Sequence, residues 1–368
     1  RLVAGNNDNG IQTLAKIKRK VRLASGLDEN NTLNDSAIER GLQCLRFFAE
    51  RLQDIPPENI KVVATATLRI ANNANIFIVQ AEKILSHKIR VLSGLEEAQH
   101  IYLGVAYTSC CAKKRLVLDI GGASTELIVG EGVTINKAIS VNMGCVSFNK
   151  HYFTDQLLND DNFDLAISAA KKILAPLVQP YQNIGWQSVL GGSGTMQALA
   201  EILAFRKQPS IIHGDFLAQI KADLITCQKI DTLSIDGLKD DRKPVFASGL
   251  AILIAIFEHF SIDKLQLSSG ALREGLLYSM LPEAINETSS VIPSIKQQTI
   301  NQLSQRFHID QPQAKRVQHL ATQLFNHCQT AWNLTHNDYI HLLSACALHE
   351  IGLILSYKDH LNHGVYLL

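Results

Sequence analysis

Asp119 closes an otherwise apolar run, Leu116-Val117-Leu118-Asp119-Ile120, and Gly121-Gly122 follow at once. A carboxylate at the end of a buried strand is costly to desolvate unless a cation or hydrogen-bond donors compensate. Glu126 lies seven residues on, across the glycine turn, so both carboxylates can face one cleft. Oxygen ligands of this kind suit Mg²⁺, which keeps much of its water and binds substrate phosphates. The plainer readings are a turn-capping aspartate and a surface glutamate. Gly191-Gly192-Ser193-Gly194-Thr195 and Ser269-Gly270 also follow apolar strands. A glycine turn at a strand's end lets backbone N–H groups converge, and a helix starting there adds its positive end. One such loop signifies little, because tight turns need glycine for backbone reasons alone. Three of them point to a cleft for a nucleotide or a polyphosphate.

Glu96-Glu97 follow Ser93-Gly94 at a helix start, where acidic residues also serve simply to complement the dipole. Arg69 stands amid Thr65, Thr67 and Asn73, where a β-branched strand hands over to a helix. That position suits a phosphate clamp, and equally a surface ion pair. Spacing alone does not choose between them. Lys16, Lys18, Lys20 and Arg22 recur at period two in the alternating segment Ile11 to Leu23, as on one face of a strand. Such a face is either a solvated edge that discourages pairing or a phosphate-steering surface.

The elements around these residues alternate between strand and helix, an α/β pattern. Asn34 caps a helix whose apolar residues Ile38, Leu42, Leu45, Ala49 and Leu52 share a face, ended by Pro56-Pro57. Ile60 to Thr67 reads as a strand, Asn73 to Leu85 as a helix and Ile89 to Leu92 as a short strand. Leu116 to Ile120, Glu126 to Val129 and Thr134 to Ser140 read as an antiparallel meander. Ala166, Ala170, Ile173, Leu174 and Leu177 line one helix, Ser188 to Leu190 forms a buried strand, and Leu265 to Ser268 leads into a helix from Ala271 to Met280. A polar, proline-bounded stretch from Pro282 to Pro293 reads as a linker. The chain beyond Pro293 reads as helical, with Val317, Leu320, Ala321, Leu324 and Phe325 on one face.

At 368 residues the chain calls for two or three domains. A net charge of +1 argues against bulk binding of DNA, so any polyanion must meet a local basic patch. The cysteines Cys44, Cys110, Cys111, Cys145, Cys227, Cys328 and Cys346 are odd in number and dispersed, as expected of reduced thiols in a cytoplasmic protein. No uninterrupted apolar stretch approaches membrane-spanning length, so no membrane partner is expected.

The run Leu116 to Leu127 resembles the second phosphate motif of the exopolyphosphatase/guanosine pentaphosphate phosphohydrolase family. Val63-Ala64-Thr65-Ala66-Thr67-Leu68-Arg69 resembles that family's arginine motif, and Ser93-Gly94-Leu95-Glu96-Glu97-Ala98 its catalytic-glutamate motif. Met143-Gly144-Cys145-Val146, Gly191 to Thr195 and Ser269 to Gly275 match in order and spacing, so the resemblance spans essentially the whole chain. Lys16 to Leu23 and Glu50 to Pro57 lean toward the guanosine pentaphosphate branch. The resemblance implies two actin-like lobes of ribonuclease H-like kind around a cleft, residues 1–100 and 101–282. A linker (283–293) and an all-α domain similar to HD phosphohydrolases (294–368) would follow. It implies that Glu97 activates water, that Asp119 and Glu126 hold Mg²⁺, and that Arg69, Gly121, Gly122, Ser124, Gly192, Ser193, Gly194 and Thr195 bind phosphate. The implied activity removes the terminal 5′-phosphate of guanosine pentaphosphate, in stringent-response metabolism, and a homodimer is the family's expected assembly.

The chain also departs from the family pattern. Its first phosphate loop, of Asp-Leu-Gly-Ser-Asn-Ser type, is expected just before Arg1, and the helical domain is expected to run past Leu368. Gln99 stands where arginine usually follows the Glu-Glu-Ala, His349-Glu350 replaces the His-Asp pair of HD enzymes, and Gln313 replaces a metal histidine. No metal is therefore expected at His349. Polyphosphate is the alternative substrate, and a chain that only binds alarmone without hydrolysing it is a further reading. Sugar and acetate kinases share the fold, but the Glu97 motif points to water as the acceptor.

Overall fold

Alternation along Arg115–Ile120 decides the architecture. Leu116, Leu118 and Ile120 enter one apolar cluster and Val117 another, on opposite faces of the strand. The computed structural model describes residues 2–7, 10–109, 113–280 and 295–367. They fall into two compact units, Arg1–Val3 with Ala15–Asn286, and Ala4–Leu14 with Glu287–Leu368. Cys110, Cys111 and the expected linker at 283–293 lie outside the described residues.

The strands are β1 (Leu2–Asn7), β2 (Gly10–Lys16), β3 (Val62–Ala64), β4 (Ile89–Val91), β5 (Arg115–Ile120), β6 (Thr125–Glu131), β7 (Thr134–Val141), β8 (Ser188–Gly191), β9 (Ile211–His213) and β10 (Lys264–Leu267). In the first unit the helices are α1 (Asp35–Ala49), α2 (Ala66–Ile70), α3 (Ala74–Leu85), α4 (Gly94–Thr108), α5 (Cys145–Tyr152), α6 (Asp160–Gln182), α7 (Gly194–Phe205), α8 (Gly214–Cys227), α9 (Lys243–Phe260) and α10 (Leu272–Tyr278).

The first lobe is small. Parallel β3 and β4 pair from Val62 opposite Ile89 to Ala64 opposite Val91, beside a core of Leu33, Ile38, Leu42, Leu68 and Phe77. The Asn34 side chain accepts from the Ala37 amide at 2.8 Å, starting α1 where the sequence places it. The helix ends at Ala49, ahead of the proline pair, and Leu52 lies in the turns beyond it.

The second lobe is a six-stranded sheet in the order β7-β6-β5-β8-β10-β9. Strands β5, β8 and β10 are parallel, with Leu118 opposite Gly191 and Leu267 opposite Gly191 from the other side. Strands β5, β6 and β7 form the expected antiparallel meander. Helices α6 and α9 pack in the large cluster on one face, while Ala98, Ile101, Tyr102 and Val105 of α4 cover Val117, Ile128 and Leu190 on the other. By length and composition α9 could cross a membrane, but here it is the buried central helix of this core.

Two expectations are corrected. Strand β2 stops at Lys16, and residues 17–22 carry no strand pairing: Lys20 and Arg22 reach instead to Asp241, and Arg22 takes a left-handed backbone (φ 52°). The β-branched run at 60–67 gives only the three-residue β3, and α2 begins at Ala66, so Arg69 lies in a helix's last turn and not at a strand's end. In the second unit α11 (Ile295–Arg306), α12 (Gln311–Cys328), α13 (His336–Leu348) and α14 (His360–Leu367) surround Ile300, Ile309, Ala314, Leu348 and Ile351. Phe325 of α12 is buried, but Leu320 and Leu324 on the same expected face are exposed.

Candidate active site

Sheet register places three polar side chains in a row. Asp119 stands opposite Glu126, and Glu126 opposite Ser140, and directly opposed residues of antiparallel strands share a face. By the alternation of β5 that face is the one covered by α4. Burial pushes the Asp119 carboxyl up to about 7, with the Glu97 charge adding to it. Glu126 is pushed up to about 8, by burial first and then by Glu97 and Asp119. Ser124 and Ser140 each donate a hydroxyl to Glu126 Oε1 at 2.7 Å.

Glu97 reaches this row because Glu96 is used elsewhere. Ser93 and Glu96 form a reciprocal capping box at the head of α4, with Ser93 N to Glu96 Oε2 at 2.8 Å and Glu96 N to Ser93 Oγ at 3.2 Å. Glu96 then pairs with the exposed Arg90. Glu97, one residue on, turns inward and is only 7% exposed. Its Oε2 lies 2.9 Å from Arg69 Nη1, which also donates to the Leu92 carbonyl at 2.8 Å. Gly94 has no room for a side chain here, since a Cβ would lie 2.6 Å from Ser140 Cβ.

The glycine loops differ in how much backbone they leave available. In the first, Gly121 N donates to Ser124 O at 2.8 Å, and Cys145 N and Val146 N donate to the carbonyls of Gly121 and Gly122 at 2.9 Å. A Cβ on Gly144 would strike Gly122, so the Met143–Val146 motif serves to seat this loop. In the second, a Cβ on Gly192 would come within 3.9 Å of Asp119 Oδ2, so this loop borders the carboxylates directly. The side chains of Ser193 and Thr195 turn into the structure, toward Met196 Sδ at 3.3 Å and toward Gly249. Only the backbone of that loop faces the cleft side, and the Arg242 guanidinium lies against Gly194. The third loop is engaged in packing: Gly270 N and O both bond Ser268 Oγ, and Gly104 of α4 leaves no space for a Cβ on Gly270.

Beside the carboxylates opens a cleft of about 810 Å³ that includes Lys18, Lys20, Arg22, Arg40, Lys239 and Arg242 in its lining. Glu97, Asp119 and Glu126 do not line it; Arg242 of its lining lies against Gly194 of the second loop, and the Lys18 charge acts on Asp119, which ties the two regions together. Burial lowers the Lys18 pKa, and Arg242, Arg273 and Lys20 lower it further. Lys16 ends β2 and pairs with Glu274 at 3.0 Å, whereas Lys18, Lys20 and Arg22 lie on no strand. These last three line the cleft from an irregular segment. Ser140, Arg40, Lys239, Asp241 and Arg242 were not singled out by sequence. Ser140 was findable from the meander's register, whereas the other four carry no local motif.

In the second unit His349 Nδ1 lies 2.8 Å from Cys346 O, and its Nε2 is 3.7 Å from Glu350. Gln313 Oε1 accepts from Arg316 at 2.7 and 2.9 Å. Among the described residues no three His, Cys, Asp or Glu groups stand close enough to ligate one ion directly.

Residues 2–284 match the Ppx/GppA phosphatase family, and residues 295–368 match Ppx/GppA phosphatase, domain III. The chain belongs to the Ppx/GppA phosphatase family. It is similar over its whole length to proteins named guanosine-5′-triphosphate,3′-diphosphate pyrophosphatase. The one from Pseudoalteromonas translucida (strain TAC 125) is 47% identical and that from Aliivibrio fischeri (strain MJ11) 48% identical, and the chain spans 73% of each. A crystal structure of an exopolyphosphatase from Cytophaga hutchinsonii superposes with a TM-score of 0.68 at 21% identity, covering 76% of this chain and 93% of that one. At that identity the likeness speaks to the fold, which in this family is two actin-like lobes followed by a helical domain.

Proposed function

We propose that this Ppx/GppA chain hydrolyses the terminal 5′-phosphate of guanosine pentaphosphate, giving guanosine tetraphosphate and inorganic phosphate. The names of its relatives at 47% and 48% identity support the substrate. The observation that carries the chemistry is Glu97, buried at the head of α4, paired with Arg69 at 2.9 Å and acting electrostatically on both Asp119 and Glu126.

Asp119 and Glu126, both raised first by burial and then by the neighbouring Glu97 charge, fit a site for a divalent cation, because a cation offsets the desolvation and relieves the repulsion together. Asp119 and Glu126 would hold Mg²⁺ through water, since no direct three-ligand cluster exists among the described residues. Such an ion would neutralise charge on the transferring phosphoryl oxygens. The chain's own groups do the rest. Gly121 N and Gly192 N are engaged by Ser124 O and Leu118 O, so phosphate is bound and oriented by the other amides of these two loops, those of Gly122, Ser193 and Gly194, with Ser124 inside the first loop fixing Glu126. Glu97 accepts the proton of the attacking water as the new P–O bond forms and the bridging P–O bond breaks, leaving charge on the tetraphosphate product. Arg69, sharing Nη1 between Glu97 and Leu92 O, can transfer its hydrogen bonds to a bound phosphate and release Glu97 toward water.

The test is phosphate release measured side by side on guanosine pentaphosphate and on long-chain polyphosphate with Mg²⁺ present. Preferred release from the nucleotide is expected. Preference for polyphosphate would move the assignment to exopolyphosphatase, and binding of the nucleotide without release would leave only an alarmone-binding protein.

A further inference from the structure

The 810 Å³ cleft holds two carboxylates among its six cations, and each is matched to one lysine. Glu201 Oε1 lies 2.6 Å from Lys239 Nζ, on a partly exposed helix face. Asp241 pairs with Lys20, and its backbone carbonyl accepts from Arg22 Nη2 at 2.9 Å. These two cations come from the segment after β2, whereas Asp241 comes from the loop before α9, so the contact bridges the cleft mouth. The pair is open to water: the side chains of Lys20 and Asp241 are 28% and 49% exposed. A contact of that kind is weak and exchangeable. Around it the charge is far from balanced, with six cations facing two carboxylates.

We propose that Asp241 is a built-in counter-anion of this cleft, occupying Lys20 until an anion of the pyrophosphate class displaces it, and so setting how tightly the site takes anionic substrate. A carboxylate carries one charge, and a diphosphate group carries more than one and presents several acceptor oxygens to lysine and arginine at once. The diphosphate therefore outcompetes Asp241, while weakly charged solutes do not. The role in substrate binding rests on the function proposed above, but the displacement itself needs no turnover to be observed.

The experiment is titration of inorganic pyrophosphate into the full chain and its Asp241→Asn variant. Asn keeps the shape and leaves the backbone carbonyl for Arg22. Removing an incumbent held by an exposed ion pair should tighten Kd by up to about five-fold, which is about 1 kcal/mol at ~1.4 kcal/mol per decade. The dependence of binding on salt should steepen, because one more unneutralised cation faces the ligand. KM for guanosine pentaphosphate should fall by the same factor while kcat changes less than KM. In a Lys20→Met background the gain from Asp241→Asn should vanish, as a double-mutant cycle isolates the pair. An unchanged or weakened Kd would overturn the proposal, since Asp241 would then be positioning Lys20 and not competing for it. A gain of full size persisting in Lys20→Met would overturn it too, by showing a diffuse field effect. Failure of the wild-type chain to release phosphate would count against the proposed function and leave the pyrophosphate result standing.

Discussion

Replacing Glu97 by Gln separates chemistry from stability unusually well, because the two side chains have the same shape. A general base in phosphoryl transfer to water contributes about 10²–10⁴-fold, or roughly 3–5 kcal/mol of barrier at 1.36 kcal/mol per decade. The structural cost should be smaller. Removing one partner of a fully buried ion pair costs about 3–5 kcal/mol, but Arg69 is 23% exposed and keeps its bond to Leu92 O. Loss of the Glu97 charge also relieves the repulsion felt by Asp119 and Glu126. Stability should therefore move by no more than about 1–2 kcal/mol, well below the buried-pair figure. Glu96→Gln is the internal comparison, since Glu96 faces Arg90 and the capping box, outside the carboxylate row. Steady-state phosphate release with urea unfolding of both variants decides the matter. Glu97→Gln should lower kcat far more than it raises KM, with Glu96→Gln close to wild type in turnover. Comparable, modest losses in both would refute the role of Glu97 and leave it a helix-start residue.

Chelation should abolish turnover, and added Mg²⁺ should restore it and raise Tm, as a ligand of the native state must. Asp119→Asn should weaken that Mg²⁺ response, and a response equal to wild type would remove Asp119 from the metal's surroundings. Ser140→Ala, which deletes one of the two hydroxyls donating to Glu126, should raise the Mg²⁺ concentration needed for half-activation without unfolding the chain. Burial pushes the Cys145 thiol up to about 11, so its thiolate, and with it alkylation, should rise about tenfold per pH unit from pH 7 to 10 and be slow at pH 8 until urea unfolds the chain. Mass spectrometry of native and unfolded protein reads this directly, and equal rates would contradict it. Gly275→Ala places a Cβ against the His100 carbonyl between α10 and α4, and should cost about 1–3 kcal/mol or more in urea unfolding.

Much of the second lobe was legible because its hydrophobic period is strict. Leu118 and Asp119 are successive residues that serve opposite faces, and a slip of one position would bury the carboxylate in the large apolar cluster and turn Leu118 toward α4. The same alternation fixes Glu126 opposite Asp119, so the carboxylate pair could be read before any coordinates. Ser93 to Glu97 was legible as a helix start, and the motif resemblance pointed to Glu97, but spacing alone did not say which glutamate turned inward. That choice follows from the capping box, where Glu96 must fold back on Ser93. The β-branched run at 60–67 misled, because Thr65 already takes the extended N-cap position of α2, and tertiary packing of Ala66 and Leu68 overrides strand propensity.

The cleft was the least legible part, and the reason is its assembly from four separated stretches. Residues 18–25, Arg40 of α1, Gln197 and Glu201 of α7, and residues 239–242 meet only when both lobes have formed, and no local motif joins them. A period-two row of lysines is identical in sequence whether it lines a strand or an extended segment that crosses a cleft. The left-handed turn at Arg22 and the acceptor at Asp241 separate the two cases, and both are long-range or backbone facts. The carboxylate row, by contrast, is local, contained in one meander and one helix start. The chemistry proposed for this chain is therefore written in short segments, while the anion recognition proposed for the cleft is written in the distances between them.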